Sequence, residues 1–235
     1  RGWWQGIECS DLDGDGDKDI ILGNTGRNML PQISQENPLI IFTGDLDKNG
    51  KADPLIIHKD RKGRKHFLQS RDDLVKQVPS LNRVYQSYNS YADSDVSDLL
   101  PDSILRLHSD TLNELRNMVL INNGNNDFSV LYLPRKTEFG TCNQIFTQDM
   151  NGDGVMDILL FGNDHVLNSN YGLPDGNPGW VVEGKMDVES NWLPADLYSL
   201  SLKGNINSVA TLKLADGTHT FVLGRSNGPV SIVKI

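Results

Sequence analysis

One nine-residue pattern occurs three times in this chain, and nothing else in the sequence restricts the fold as much. Asp11-Leu-Asp13-Gly-Asp15-Gly-Asp17-Lys-Asp19 returns as Asp45-Leu-Asp47-Lys-Asn49-Gly50-Lys51-Ala-Asp53 and as Asp149-Met-Asn151-Gly-Asp153-Gly154-Val155-Met-Asp157. Each copy reads D-x-[DN]-x-[DN]-G-x-x-D and runs straight into an apolar stretch: Ile20–Leu22, Leu55–Ile57 and Ile158–Phe161. Short apolar runs bounded by turn residues read as buried strands. The repeated unit is a loop followed by a strand.

The residue types point to a hard cation. Calcium takes about six to eight oxygen ligands, and alternate positions of a tightly curled loop converge carboxylate or amide oxygens on one point. Position six is glycine in every copy: Gly16, Gly50 and Gly154. A residue without Cβ lets the chain turn back there, bringing the position-nine carboxylate round to positions one, three and five. Position seven (Asp17, Lys51, Val155) varies freely in type, which suits a ligand supplied by the backbone carbonyl. Without an ion the clustered carboxylates repel one another, so metal is expected to stabilise the fold. The expected metal positions are Asp11, Asp13, Asp15, Asp17 and Asp19, then Asp45, Asp47, Asn49, Lys51 and Asp53, then Asp149, Asn151, Asp153, Val155 and Asp157, for up to three structural Ca2+.

The first six positions also match the EF-hand loop, which needs a bidentate Glu at position twelve and flanking helices. Position twelve here is Leu22, Ile56 or Leu160, each inside a strand-like run. Gly23-Asn24 and Gly162-Asn163 then read as turns. The EF-hand reading fails. A set of solvated acidic turns is the plainer alternative, because Asp, Asn and Gly are common turn formers. Three copies at one spacing disfavour it.

The pattern resembles the FG-GAP or VCBS-type repeat, the calcium-loop unit of integrin-α-like β-propellers. The likeness extends, less specifically, to Gly2-Trp3-Trp4, Gly23–Asn28, Ser70–Leu74 and Asn227-Gly228-Pro229, as in the C-terminal part of large secreted bacterial VCBS-repeat proteins. The resemblance implies blades of four antiparallel strands, with the loop joining two strands of a blade and carrying one calcium ion. Its implied ligands are Asp11, Asp13, Asp15 and Asp19, then Asp45, Asp47, Asn49 and Asp53, then Asp149, Asn151, Asp153 and Asp157. The expected fold is mainly β: one partial β-propeller domain over residues 1–235, with about three to four antiparallel blades.

The spacing of the loops is uneven. The first two begin 34 residues apart, short for a four-stranded blade, and the third begins 104 residues after the second. Inside that gap Ser70-Arg-Asp-Asp73 has capping-box spacing, and Leu74, Val75, Val78, Leu81, Val84, Tyr85 and Tyr88 suit a helical face interrupted at Pro79. Residues 70–108 therefore read as a helical insertion. Strands are expected again around Met118–Ile121, Phe128–Tyr132 and Trp180–Val182, a long loop at 168–179, and closing hairpins around Asp216-Gly217 and Asn227-Gly228.

Charge follows the loops. The net charge is −9, and the three loops hold eleven of the 31 acidic residues, so three divalent ions would leave about −3. No basic face is evident to neutralise phosphates, which argues against a nucleic-acid partner. The one basic cluster, Lys59 to His66 around Gly63, reads as a solvated hairpin tip. No apolar stretch reaches membrane-spanning length. Cys9 and Cys142 are too few for a disulfide framework and read as free, buried thiols. Trp3 and Trp4 read as sheet packing rather than as a sugar-stacking pair.

No nucleophile elbow, phosphate-binding loop or H-E-x-x-H motif is present, and the five histidines are dispersed. A carboxylate pair for glycan chemistry would come from Glu138, Asp164, Asp175, Glu183 or Glu189, with nothing selecting two of them. The expected function is a non-enzymatic calcium-binding scaffold for extracellular binding or adhesion, holding a protein or glycan ligand on one propeller face. Its expected location is outside the cell, on the surface or in a bacterial periplasm, where weak calcium sites stay filled. An incomplete ring would also self-associate through open blade edges. The alternatives are a polysaccharide lyase or glycoside hydrolase on a calcium-stabilised propeller, and a purely structural module of a larger surface protein.

Overall fold

The structure, a computed structural model, describes residues 1–28, 32–163, 175–215, 219–226 and 228–234. Strands β1 (Trp4–Ser10) and β2 (Asp19–Asn24) flank the first acidic loop, and β3 (Leu39–Phe42) and β4 (Leu55–Lys59) flank the second. A short β5 (Lys65–Phe67) precedes helices α1 (Arg71–Gln77), α2 (Tyr88–Ala92) and α3 (Asp102–His108). Next come β6 (Ser109–Leu112), β7 (Met118–Asn122) and β8 (Phe128–Tyr132). Strands β9 (Cys142–Gln148) and β10 (Asp157–Gly162) flank the third loop. The last five strands are β11 (Trp180–Met186), β12 (Trp192–Ser199), β13 (Ile206–Lys213), β14 (His219–Arg225) and β15 (Ser231–Lys234).

Among the described residues these strands make four antiparallel sheets of three or four strands, and none closes into a barrel. The chain divides into two compact units, Trp3–Met29 with Leu115–Ile235, and Arg1–Gly2 with Leu30–Glu114. The first holds three sheets, ordered β1-β2-β7-β8, β9-β10-β11-β12 and β13-β14-β15. The second holds the sheet β5-β4-β3-β6 and the helices. The mainly β class, the blade-sized sheets and the helical pieces within 70–108 agree with the sequence.

Strand β10 shows how the three sheets stack. Its side chains alternate between two faces, and both are apolar, so every one of its positions is buried. Ile158 and Leu160 pack with Ile21, Val119 and Ile121 of the first sheet. Leu159 and Phe161 pack with Ile206, Phe221 and Leu223 of the last. The sheets meet along their first strands, β1 against β9 and β9 against β13. Gly23 permits this closeness: a Cβ there would fall 2.4 Å from the Cys142 carbonyl oxygen. The result is the side-by-side stacking of propeller blades.

In the other unit one cluster joins Phe42, Leu55, Ile57 and Phe67 of the sheet to Leu74, Val78, Leu81 and Tyr85 of the helical segment. Ser70 caps α1 as its spacing predicts, its hydroxyl oxygen accepting the Asp73 amide hydrogen. The expected helical face is only partly buried. Val84 and Tyr88 are exposed, because the helix ends at Val78 and the chain continues through a 3-10 turn at Pro79–Arg83 into a separate helix α2.

The path between units explains the uneven loop spacing. The chain leaves the first sheet after β2, builds the whole helix-covered sheet, and returns at β7 to finish the sheet it left. Only two strands of a blade precede the second loop, hence the 34-residue interval.

Several local expectations need correction. Strand β12 is absent from the sequence reading because Pro194 weakens the pattern; β12 is an edge strand, where a missing N–H is tolerated. Strand β6 is too polar to announce itself and forms by pairing with β3. Trp4 is exposed and belongs to no core cluster among the described residues, and Cys9 is exposed while Cys142 is buried. Trp4 and Cys9 sit on β1, an edge strand whose outward side chains meet solvent. The basic cluster is the β4–β5 turn. Although its own desolvation works the other way, hydrogen bonds from Arg64, Lys62 and His66 hold the Asp60 carboxyl well below the usual carboxylate range. Residues 168–174 of the expected long loop and the Asp216-Gly217 turn lie outside the described residues. Among the described residues no helix is long and apolar enough to cross a membrane.

Candidate metal centres

All three acidic loops join the first and second strands of a hairpin, and all three share one hydrogen-bond skeleton. The position-one carboxylate receives the position-six amide: Gly16 N to Asp11 at 3.1 Å, Gly50 N to Asp45 at 2.8 Å and Gly154 N to Asp149 at 2.9 Å. Position three accepts from position five: Asp15 N to Asp13 at 3.2 Å, Asn49 N to Asp47 at 3.1 Å and Asp153 N to Asn151 at 2.9 Å. Position five accepts from position seven, at 2.8 Å in each loop. Position nine reaches back to the amide of position two, again at 2.8 Å in each. Each acid thus curls its own loop while its remaining lone pairs stay available, since an ionised carboxylate offers about four acceptor sites.

Both glycine-favouring positions of the loop are now visible. Position six has φ of 95°, 84° and 89° at Gly16, Gly50 and Gly154. Position four is left-handed too, at Gly14 (79°), Lys48 (60°) and Gly152 (79°), a requirement the sequence hid because lysine fills it in the second loop. No atom stands within 4 Å of a Cβ built at Gly154, so Gly154→Ala tests the backbone alone. It is expected to lose about 1–2 kcal/mol in urea unfolding, the cost of a left-handed L-residue.

Position nine does more than close the loop. Asp19, Asp53 and Asp157 are buried, with exposures of 1%, 4% and 0%. The second oxygen of Asp19 accepts the Asn122 amide at 2.9 Å, and that of Asp157 accepts the Gly184 amide at 2.8 Å. Each therefore ties loop, second strand and third strand together. The two bonds are equivalent: Asn122 and Gly184 each stand two residues beyond the partner of the first strand residue after the loop, Leu120 opposite Ile20 and Val182 opposite Ile158.

The donor set is oxygen throughout, which fits calcium or magnesium and not a soft metal. Oxygens of Asp11, Asp13 and Asp15 lie within 4.8 Å of one another, as do those of Asp45, Asp47 and Asp53. In the third loop Asn151 replaces one acid and donates to Asp153 at 3.0 Å, so the amide partly satisfies its neighbour. Burial pushes the Asp13 carboxyl up, helped by Asp15, Asp19 and Asp11 and opposed by the Asp15 amide. Burial likewise pushes Asp157 up against the pull of the Gly184 and Met150 amides, with Asp153 and Asp149 adding to the rise. A cation would relieve both. At position seven, Asp17 and Lys51 are exposed and Val155 packs on the core, so these side chains share no common role.

The candidate carboxylates outside the loops that the structure describes lie on different elements. Glu138 is buried and bridged to Arg27 at 2.5 Å. Asp175 accepts from Asn163 and the Gly204 amide. Glu183 is pushed up by its partial burial and by Asp157, Asp196 and Asp153, while Glu189 lies in the β11–β12 turn. Asp164 lies outside the described residues. Compared with known proteins, the chain matches no family model, no curated protein and no solved structure.

Proposed function

We propose that this chain is a calcium-stabilised, propeller-type scaffold that works outside the cell and presents a sheet face or loop set to a protein or glycan ligand, without catalysing a reaction. One observation carries the reading: an oxygen-lined loop with the same backbone skeleton recurs between the first two strands of three different sheets. Position, donor chemistry and left-handed turns all repeat, whereas ordinary acidic turns have no reason to share them. Asp11, Asp13, Asp15 and Asp19 would hold the first ion, Asp45, Asp47, Asn49 and Asp53 the second, and Asp149, Asn151, Asp153 and Asp157 the third, with the position-seven carbonyls of Asp17, Lys51 and Val155 completing each set. The ion supplies positive charge between strands. The chain supplies the curl and, through Asp19 and Asp157, the anchoring of the second strand to the third.

Calorimetric titration of the metal-free protein with calcium is expected to show up to three sites. The first loop, with four ligand carboxylates against three in the others, is expected to bind tightest, because affinity rises with ligand charge. Asp13→Asn should weaken that site and leave the other two. Absence of calcium binding to the wild type would refute the reading. A calcium-dependent hit on a glycan or protein array would then identify the ligand class.

A further inference from the structure

Within the three-sheet unit the repeat itself says which residues form an interface between sheets. Ile7 stands four residues before the first loop, as Ile145 stands four before the third; Ile20 and Leu22 follow the first loop as Ile158 and Leu160 follow the third. In the middle sheet these positions are closed, with Ile145 at 5% exposure and Ile158 and Leu160 at 0%, because the first sheet lies on them. In the first sheet the same positions are open: Ile7 is 66% exposed, and Ile20 and Leu22 are half-buried. The register extends this face outward, from Ile20 through Leu120 to Val130, and from Leu22 through Met118, itself only 6% exposed, to Tyr132, whose ring lies under the Arg116 guanidinium at 3.4 Å. Val130 and Tyr132 are exposed.

The last sheet carries the converse face. On β2, Ile21 and Gly23 point at the middle sheet, and Gly23 admits the backbone at Cys142. Strand β14 carries a similar pair, Val222 and Gly224, on the face opposite Phe221 and Leu223, which are the residues turned to the middle sheet; the Ser208 hydroxyl of the same sheet stands 2.3 Å from where a Cβ of Gly224 would lie. Val222 lies between Ala210 and Ile232 in the register, and Ile232 is 66% exposed.

We propose that these two open faces are the halves of one interface between copies of this chain. The last sheet of one copy docks on the first sheet of the next, repeating the interface that joins the first sheet to the middle one. A second copy is the occupant because each chain holds both complementary halves, and burying exposed aliphatic side chains drives the association. Contacts of this head-to-tail kind grow into chains unless the rotation closes a ring. The inference does not depend on calcium binding.

The test is the mass of the full chain by sedimentation equilibrium over rising concentration at fixed calcium, with Ile7→Lys and Ile232→Lys as variants. Both side chains are exposed, so both variants are expected to melt with the wild type. The wild-type mass should climb above the single-chain 26.1 kDa, and each variant alone should stay there. An equimolar mixture of the two should reach twice that mass and stop, since each variant keeps the half the other lacks. A wild type that stays at 26.1 kDa, a single variant that associates like the wild type, or a mixture that stays single would each overturn the proposal.

Discussion

Asp157→Ala is expected to lower stability by about 2–6 kcal/mol even in chelator, because it leaves two amide donors facing an apolar interior at about 1–3 kcal/mol each. Those donors are Met150 and Gly184, both within 2.8 Å of a carboxylate that is fully buried. Asp157→Asn keeps one acceptor but turns an amide NH2 toward the other donor, so a smaller loss is expected. Asp53→Ala supplies the internal control. Among the described contacts its carboxylate accepts the Leu46 amide alone, and the loss should stay near about 1–3 kcal/mol. Urea unfolding of the three variants in chelator separates this role from ion binding. Equal, small losses at both positions would show that position nine matters only as a ligand.

The second large effect belongs to Trp192. It is 1% exposed, packs in the cluster between the first and middle sheets, and donates its indole N–H to the Met156 carbonyl at 2.8 Å. Gly184 makes room for it, since a Cβ there would fall 2.2 Å from the indole nitrogen. Trp192→Ala is expected to cost about 3–5 kcal/mol from the cavity. Trp192→Phe keeps part of the volume and drops the hydrogen bond, leaving the carbonyl beside Gly184 unpaired, for about 1–3 kcal/mol. Equal losses in the two variants on urea unfolding would mean the hydrogen bond, which both lack, outweighs the volume.

These two residues also mark where the sequence is legible. Asp157 belongs to a pattern written three times at fixed spacing, so its loop, its strand and its turn back at Gly154 can be read from local chemistry. Its second role cannot, because the Gly184 amide that it accepts comes from a strand that begins 23 residues further on. Trp192 sits on an edge strand that Pro194 disguises, and only tertiary pairing reveals it. Strand β10 announces itself through a run of apolar residues with both faces covered, whereas Cys9 and Ile7, on a strand of the same repeat, give no sign that they remain exposed. The departure of the chain from the first sheet after β2 is equally silent. Nothing in the residues around position 30 states that the sheet is half built, and the 34-residue interval shows it only once the strands are paired.

Thermal melting in calcium against chelator separates ion-stabilised loops from plain acidic turns. At free calcium about tenfold above the dissociation constant each filled loop adds about 1.4 kcal/mol, or about 3–6 °C in Tm for a chain of this size. A rise of that order per ion is expected, lost in EGTA and restored by excess calcium, with the first-loop variant Asp13→Asn gaining less than the wild type. A Tm that is the same in calcium and in EGTA would contradict it.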